Sequence, residues 1–230
     1  MGYKIHNKKI MSKTGKGVLG DTPLMTDEEI KCIESYLTPD TIMLEWGSGG
    51  STLYFPKMVK KLISIESDKK WYDDVCAELK KKKYRNVRYF LEEPQLTNVT
   101  INIDDIHKLS ETLFNKIRED FGIRSTSYRN YINKIDNLSY KTYDAILIDG
   151  RVRLECGIKA LNYMGDDSVL FIHDYYKRPT LPYLEQYYDV IQHVGKYEHY
   201  KNMIYQFETE YSRRNTLVVM KKKEDLYDSN

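Results

Sequence analysis

Short apolar runs and helical periods alternate along most of the chain. Ile42-Met43-Leu44, Leu62-Ile63-Ser64-Ile65, Val87 to Leu91, Ala145-Ile146-Leu147-Ile148 and Val169-Leu170-Phe171-Ile172 are near-continuous apolar runs. That is the mark of strands buried on both faces. Between them, helical periods cover Asp27 to Tyr36, Lys69 to Lys83, Arg153 to Met164 and Tyr183 to Val194. The first is opened by Thr26 as N-cap with Glu29 three residues on. The second ends in lysines, which suit the negative end of its dipole. Met203 to Phe207 and Leu217 to Met220 read as a closing pair of strands. The alternation predicts an α/β fold, a mostly parallel seven-stranded sheet with helices on both faces.

The organisation that follows is one domain over 26–222. A basic segment, 1–25, precedes it and a charged tail, 223–230, follows. The stretch 95–142 is long for one connection. It carries its own helical period around Ile106, Leu109, Leu113 and Ile117, and then a polar, tyrosine-bearing piece. Such insertions serve as lids and binding elements, or simply elaborate the fold. With 230 residues, 41% hydrophobic and 30% charged, the chain can bury a full core.

Charge and composition narrow the partners. Lys+Arg total 36 and Asp+Glu 34, a net charge of +2, which gives no phosphate-tracking surface and so no nucleic-acid partner. No apolar run approaches the roughly 20 residues that span a bilayer, so no membrane partner is expected. Met1 to Lys16 has no apolar core and reads as a solvated tail, not a secretory signal. Cys32, Cys76 and Cys156 are odd in number and far apart, which argues against a disulfide framework and for a reducing, cytoplasmic setting.

Four of the buried strands end in an acid: Glu45, Glu66, Asp149 and Asp174. Ligands of open α/β sheets bind outside the carboxyl ends of the strands. After the first strand comes Gly47-Ser48-Gly49-Gly50-Ser51-Thr52. The glycines allow a tight turn and close ligand approach, and Ser51 and Thr52 can cap the next helix. Glu66 follows Glu45 by 21 positions, where a dinucleotide-type fold sets the acid that holds ribose hydroxyls. An acid ahead of the glycines would repel a pyrophosphate but attract a sulfonium or an amino group. That argues against a nicotinamide dinucleotide, whose fingerprint also lacks its last glycine here.

The run Glu45-x-Gly47-x-Gly49-x-Ser51 resembles motif I of class I methyltransferases, and the resemblance extends from about Asp40 to Val219. It implies a Rossmann-like fold with S-adenosylmethionine as methyl donor. Glu45, Gly47, Ser48, Gly49, Ser51 and Thr52 would surround the methionine part, Glu66 and Ser67 the ribose, and Glu92, with Glu93, the adenine. Asp149-Gly150-Arg151-Val152-Arg153 and His173-Asp174-Tyr175 are similar to small-molecule and glycan O-methyltransferases, among them macrolide-sugar enzymes and sugar-modifying enzymes of large viruses. A viral source would put the protein in host cytoplasm.

An alcohol is a poor nucleophile at neutral pH and needs a base or a metal. Asp149, His173, Asp174 and Arg151 are the candidate catalytic residues. Either Asp149 or His173 takes the hydroxyl proton, or Asp149 and Asp174 hold Mg²⁺ or Mn²⁺ against the acceptor oxygen. Arg151, Arg153, Lys177 and Arg178 could grip an acidic acceptor, and Arg151, directly after Asp149-Gly150, is the one favoured for function. Tyr128, Tyr131, Tyr175 and Tyr176 could stack on a sugar or on adenine. The implied partners are a small-molecule, sugar or glycan acceptor, with a homodimer left open. Two rivals stand beside this reading: a nucleic-acid methyltransferase and a non-catalytic protein that keeps the fold.

Overall fold

A computed structural model describes residues 19–95, 127–178, 180–195 and 216–224. Its sheet has seven strands: β1 (Ile42–Trp46), β2 (Lys61–Glu66), β3 (Val87–Leu91), β4 (Ala145–Ile148), β5 (Val169–His173), β6 (Tyr188–Val194) and β7 (Leu217–Lys222). Their order is β3-β2-β1-β4-β5-β7-β6. The first five run parallel, and β7 joins antiparallel to both β5 and β6. Between β1 and β4 the order reverses direction, so the loops leaving those strands part there and open a crevice.

The helices are α1 (Asp27–Glu34), α2 (Gly50–Tyr54), α3 (Lys69–Lys82), α4 (Arg129–Asn133) and α5 (Arg153–Ala160). Thr26 and Glu29 form the expected capping box on α1. Asp68 caps α3 through Trp71 N, and Lys83, at φ 56°, ends it. Alternation along each strand sends its side chains to two separate cores. Leu44, Trp46, Ile63, Ile146, Ile148, Leu170 and Ile172 pack on one face with Tyr131 and Ile132 of α4. Met43, Leu62, Leu147 and Phe171 pack on the other with Cys32 and Ile33 of α1. The side-chain period of two then directs Glu45, Asp149 and His173 toward the α1 face.

Two expectations are corrected. The helix expected over Tyr183 to Val194 is a 3₁₀ helix, Leu181–Gln186, followed by strand β6. Tyr188 and Val190 pack inward while Asp189, Ile191 and Gln192 face out, a period of two that fits an edge strand. β7 therefore pairs with β6, with a bulge between Val190 and Gln192, while Met203 to Phe207 lies outside the described residues. The helix expected from Arg153 to Met164 is α-helical only to Ala160 and then tightens into a 3₁₀ turn, Leu161–Tyr163. The period around Ile106 to Ile117 also lies outside the described residues. All three cysteines are free thiols. No helix among the described residues is long and apolar enough to cross a membrane.

Candidate active site

The glycine loop and the end of β4 meet backbone to backbone. Gly47 N donates to Ile65 O and Asp149 N to Trp46 O, both at 2.9 Å, which continues the ladder past the strand ends. Gly47 has φ +92°, and a Cβ there would lie 2.4 Å from Gly150 Cα. Only glycine allows this contact.

Glu45 acts on the loop from beneath. It is fully buried, and its oxygens accept the hydroxyls of Ser51, of Thr52 at 2.7 Å and of Ser64 at 2.7 Å. Burial pushes its carboxyl up to about 7 against the opposing effect of these hydroxyls. Its contribution to a ligand site is therefore indirect: it shapes the loop and does not face the crevice. Of the two hydroxyls expected to cap α2, only Thr52 reaches the N-cap residue, accepting Gly49 N at 3.0 Å, while Ser51 bonds Glu45.

Glu66 ties two loops together. Oε2 accepts Ser48 N at 3.0 Å and Ser48 Oγ at 2.7 Å, and Oε1 accepts Ser67 N at 2.6 Å and Asp68 N at 2.8 Å. Ser48 Oγ also lies 2.6 Å from the Tyr89 hydroxyl. Trp71 Nε1 donates to Ser48 O at 2.7 Å and closes the outer side of the loop. Glu92, one strand further out, is paired with Lys134 at 2.6 Å.

The second half of the site brings Asp149, His173 and Asp174 together. His173 Nδ1 lies 2.9 Å from Asp149 Oδ1, and Arg153 Nη2 lies 2.9 Å from the same oxygen and 3.6 Å from Asp174 Oδ2. Arg153, on the first turn of α5, is buried. It donates to Gly150 O at 3.0 Å, to Asp149 O at 2.9 Å and to His173 O. Its flat fork thus joins the ends of β4 and β5. Val152 and Asp174, which flank this centre, hold positive φ of 44° and 54°. For a β-branched valine that is backbone strain, which gathers at functional sites.

The electrostatics separate the two candidate bases. Burial alone would raise Asp149, but the charges of His173 and then Arg153 hold it at about 2. Burial would lower His173, yet Asp149, with Glu29 behind it, raises it to about 10. The upward shift favours the protonated ring beside an ionised Asp149, so of the two candidate bases Asp149 is the one this arrangement leaves able to accept a proton. Asp149 remains ionised. Oδ1 is occupied, its side chain stays 25% exposed, and no described residue bonds Oδ2.

Ligand atoms of Asp149, His173 and Asp174 lie within 4.8 Å of one another, a spacing one ion could bridge. The donor set does not fit a resident hard cation. Mg²⁺ and similar hard cations take oxygen ligands, whereas one of these three donors is a ring nitrogen, and Arg153 Nη2 already stands 2.9 Å from Asp149 Oδ1 and 3.6 Å from Asp174 Oδ2. Arg151 is exposed, and Arg178 is half-buried, its guanidinium pKa lowered to about 10 by burial and then by Arg153. Tyr131 and Tyr175 are fully buried and offer no ring for stacking, while the Tyr176 hydroxyl bonds His193 Nδ1 at 2.7 Å. Two residues take a larger part than their sequence suggested: Arg153, passed over there in favour of Arg151, and Glu29, expected only to cap α1.

No protein-family model and no curated protein sequence matches the chain. Solved structures do. A methyltransferase-like protein from Silicibacter pomeroyi is 18% identical, with 88% of this chain and 90% of that one covered and a TM-score of 0.56. An rRNA methylase from Streptococcus thermophilus is 11% identical over 86% of this chain and 98% of its own, at a TM-score of 0.52. A candidate methyltransferase from Streptococcus mutans, in complex with SAH, is 14% identical over 86% and 100%, at a TM-score of 0.50. The chain has the Rossmann-like fold of class I methyltransferases.

Proposed function

We propose that the protein is an S-adenosylmethionine-dependent O-methyltransferase acting on a hydroxyl of a sugar, glycan or other small molecule. One observation carries the reading. At the crevice between β1 and β4 stands a carboxylate, Asp149, pinned through one oxygen by two cations and left with the other for a ligand.

The donor set suits S-adenosylmethionine: bare glycine backbone after β1, a carboxylate after β2 and a lasting negative charge after β4. Bound there, the cofactor supplies a methyl carbon activated by its sulfonium. Residues 47–52 would line its methionine part. Glu66, with Ser67, would receive the ribose diol once the Ser48 hydroxyl turns its proton to Tyr89, already within bonding distance. Glu92 would reach the adenine only by leaving Lys134.

Asp149 Oδ2 accepts the hydrogen bond of the acceptor hydroxyl and aims an oxygen lone pair at the methyl carbon. Transfer would form O–CH₃ and break S–CH₃, with the electron pair of the broken bond left on the departing sulfur. An oxygen that gains a carbon becomes strongly acidic, so even a weakly basic carboxylate receives its proton and passes it to water. Arg153 and His173 keep Asp149 ionised and fixed throughout.

A panel assay with methyl-labelled donor tests this. Sugars, nucleotide-sugars and catechols should include a substrate, and turnover should continue unchanged in EDTA. Loss of turnover in EDTA with recovery in Mg²⁺ would overturn the metal-free step. RNA belongs in the panel because one neighbour of the same fold is an rRNA methylase. Label entering RNA alone would refute the small-molecule reading.

A further inference from the structure

Glu29 is a buried acid that neither helix capping nor the proposed transfer accounts for. Its neighbours Asp27 and Glu28 are exposed, as first-turn acids usually are, while Glu29 has no exposed surface. It falls three and four residues before Cys32 and Ile33, on the face of α1 packed against the sheet. The capping box uses one of its oxygens: Thr26 N donates to Oε2 at 2.7 Å. A glutamine would do that equally well. The second oxygen, Oε1, has no hydrogen-bond partner, and an unmatched buried carboxylate is costly. Across from it, at 3.6 Å, stands Nε2 of His173, itself buried and without a hydrogen bond. The other ring nitrogen of His173 holds Asp149 Oδ1 at 2.9 Å. Glu29, His173 and Asp149 therefore form a line from the first turn of α1 to the crevice.

We propose that Glu29 is a positioning residue for methyl transfer. It holds the His173 ring from behind, so that Nδ1–H pins Asp149 Oδ1 and Oδ2 is presented to the acceptor. The proposal rests on the reading of Asp149 as the group that meets the acceptor hydroxyl. It joins the docking of α1 to assembly of the site, since the residue that starts the helix also completes the line. The charged groups around the ring are Glu29 from α1, Asp149 beyond β4, Asp174 next in the chain, and Arg153 from α5, which holds the His173 carbonyl.

Glu29→Gln separates this role from capping. The amide oxygen can still accept Thr26 N, while the amide nitrogen would face Nε2 as a donor and remove the proton there. Full-length wild type, Glu29→Gln and Glu29→Asp are compared by thermal unfolding, by steady-state kinetics on a substrate from the panel, and by ¹⁵N NMR of the histidine rings. The wild-type His173 ring should show both nitrogens protonated at neutral pH, and the Gln variant only Nδ1. The kcat of the Gln variant should fall by up to about 100-fold, the scale of loss when a group at the reacting centre is misplaced by about 1 Å, with acceptor KM little changed. The Asp variant, which keeps the charge, should recover part of the loss. An unchanged ring spectrum in Glu29→Gln would overturn the proposal, whatever its kcat, and so would an altered spectrum with wild-type kcat. Wild type inert on the whole panel would overturn the O-methyltransferase reading, and the ring spectrum would still decide whether Glu29 holds His173.

Discussion

Replacing Arg153 by methionine would remove the one side chain that joins the ends of β4 and β5. Its guanidinium donates to the carbonyls of Asp149, Gly150 and His173 and to the Asp149 carboxylate, with Asp174 next in reach. Methionine fills similar space but leaves those acceptors unmatched and only His173 to offset the two carboxylates. Breaking a buried, hydrogen-bonded charge pair from one side costs roughly 3–5 kcal/mol. In a domain of this size each kcal/mol lowers Tm by roughly 2–4 °C, so the variant should melt roughly 6–20 °C below wild type. Arg153→Lys restores the charge without the flat fork and should recover no more than about half of that loss. Calorimetric melting near neutral pH, at low and high salt, measures both, and the losses should persist in salt because the pair is buried. A methionine variant within about 1 kcal/mol of wild type, or a lysine variant equal to it, would refute the role given to the fork.

Other expectations follow from the same geometry. Gly47→Ala meets both an unfavourable φ of +92° and backbone atoms of Gly150 at 2.4 Å. It should cost roughly 2–4 kcal/mol in urea unfolding, and wild-type stability would deny the loop contact. Glu45 ionises near 7 in the fold against an ordinary 4.5, so the native state holds its proton longer and stability falls as pH rises between those values. His173, raised from 6.5 to about 10, contributes fully below 6.5 and loses that contribution as pH climbs through 10. Tm measured against pH should decline from about pH 5 upward. Glu45→Gln should lessen the slope below about pH 7, where Glu155, also raised to about 7 by burial, keeps the remainder, and should spare the part above it. An unchanged profile in that variant would contradict the buried, hydroxyl-bound state of Glu45.

Much of the fold could be read from the chain because the informative positions are local. Near-continuous apolar runs mark the five parallel strands, and Thr26 with Glu29 marks the start of α1. β6 escaped because its apolar residues fit a helical stripe as well as an edge strand, and only pairing with β7 decides between them. At the site, Asp149 and Asp174 come together with His173, whereas Glu45 and Glu66 serve the glycine loop. Their individual roles depend on which way each side chain turns. Glu45 and Glu66 look alike in sequence, yet one is sealed beneath the loop by Ser51, Thr52 and Ser64 while the other bridges two loops. The His173 ring faces Glu29 at 3.6 Å, a residue 144 positions away that reads locally as nothing more than a cap. Arg153 resembles any first-turn arginine until the carbonyls it reaches are seen.

The most direct test of the account is single-turnover methyl transfer to a hydroxyl substrate by Asp149→Asn, run at a donor concentration that saturates the variant. Asparagine keeps the shape but loses the charge and the proton acceptor. The account predicts that the variant binds S-adenosylmethionine and folds as wild type does, while its transfer rate drops by about 100-fold or more. Transfer at the wild-type rate would contradict it.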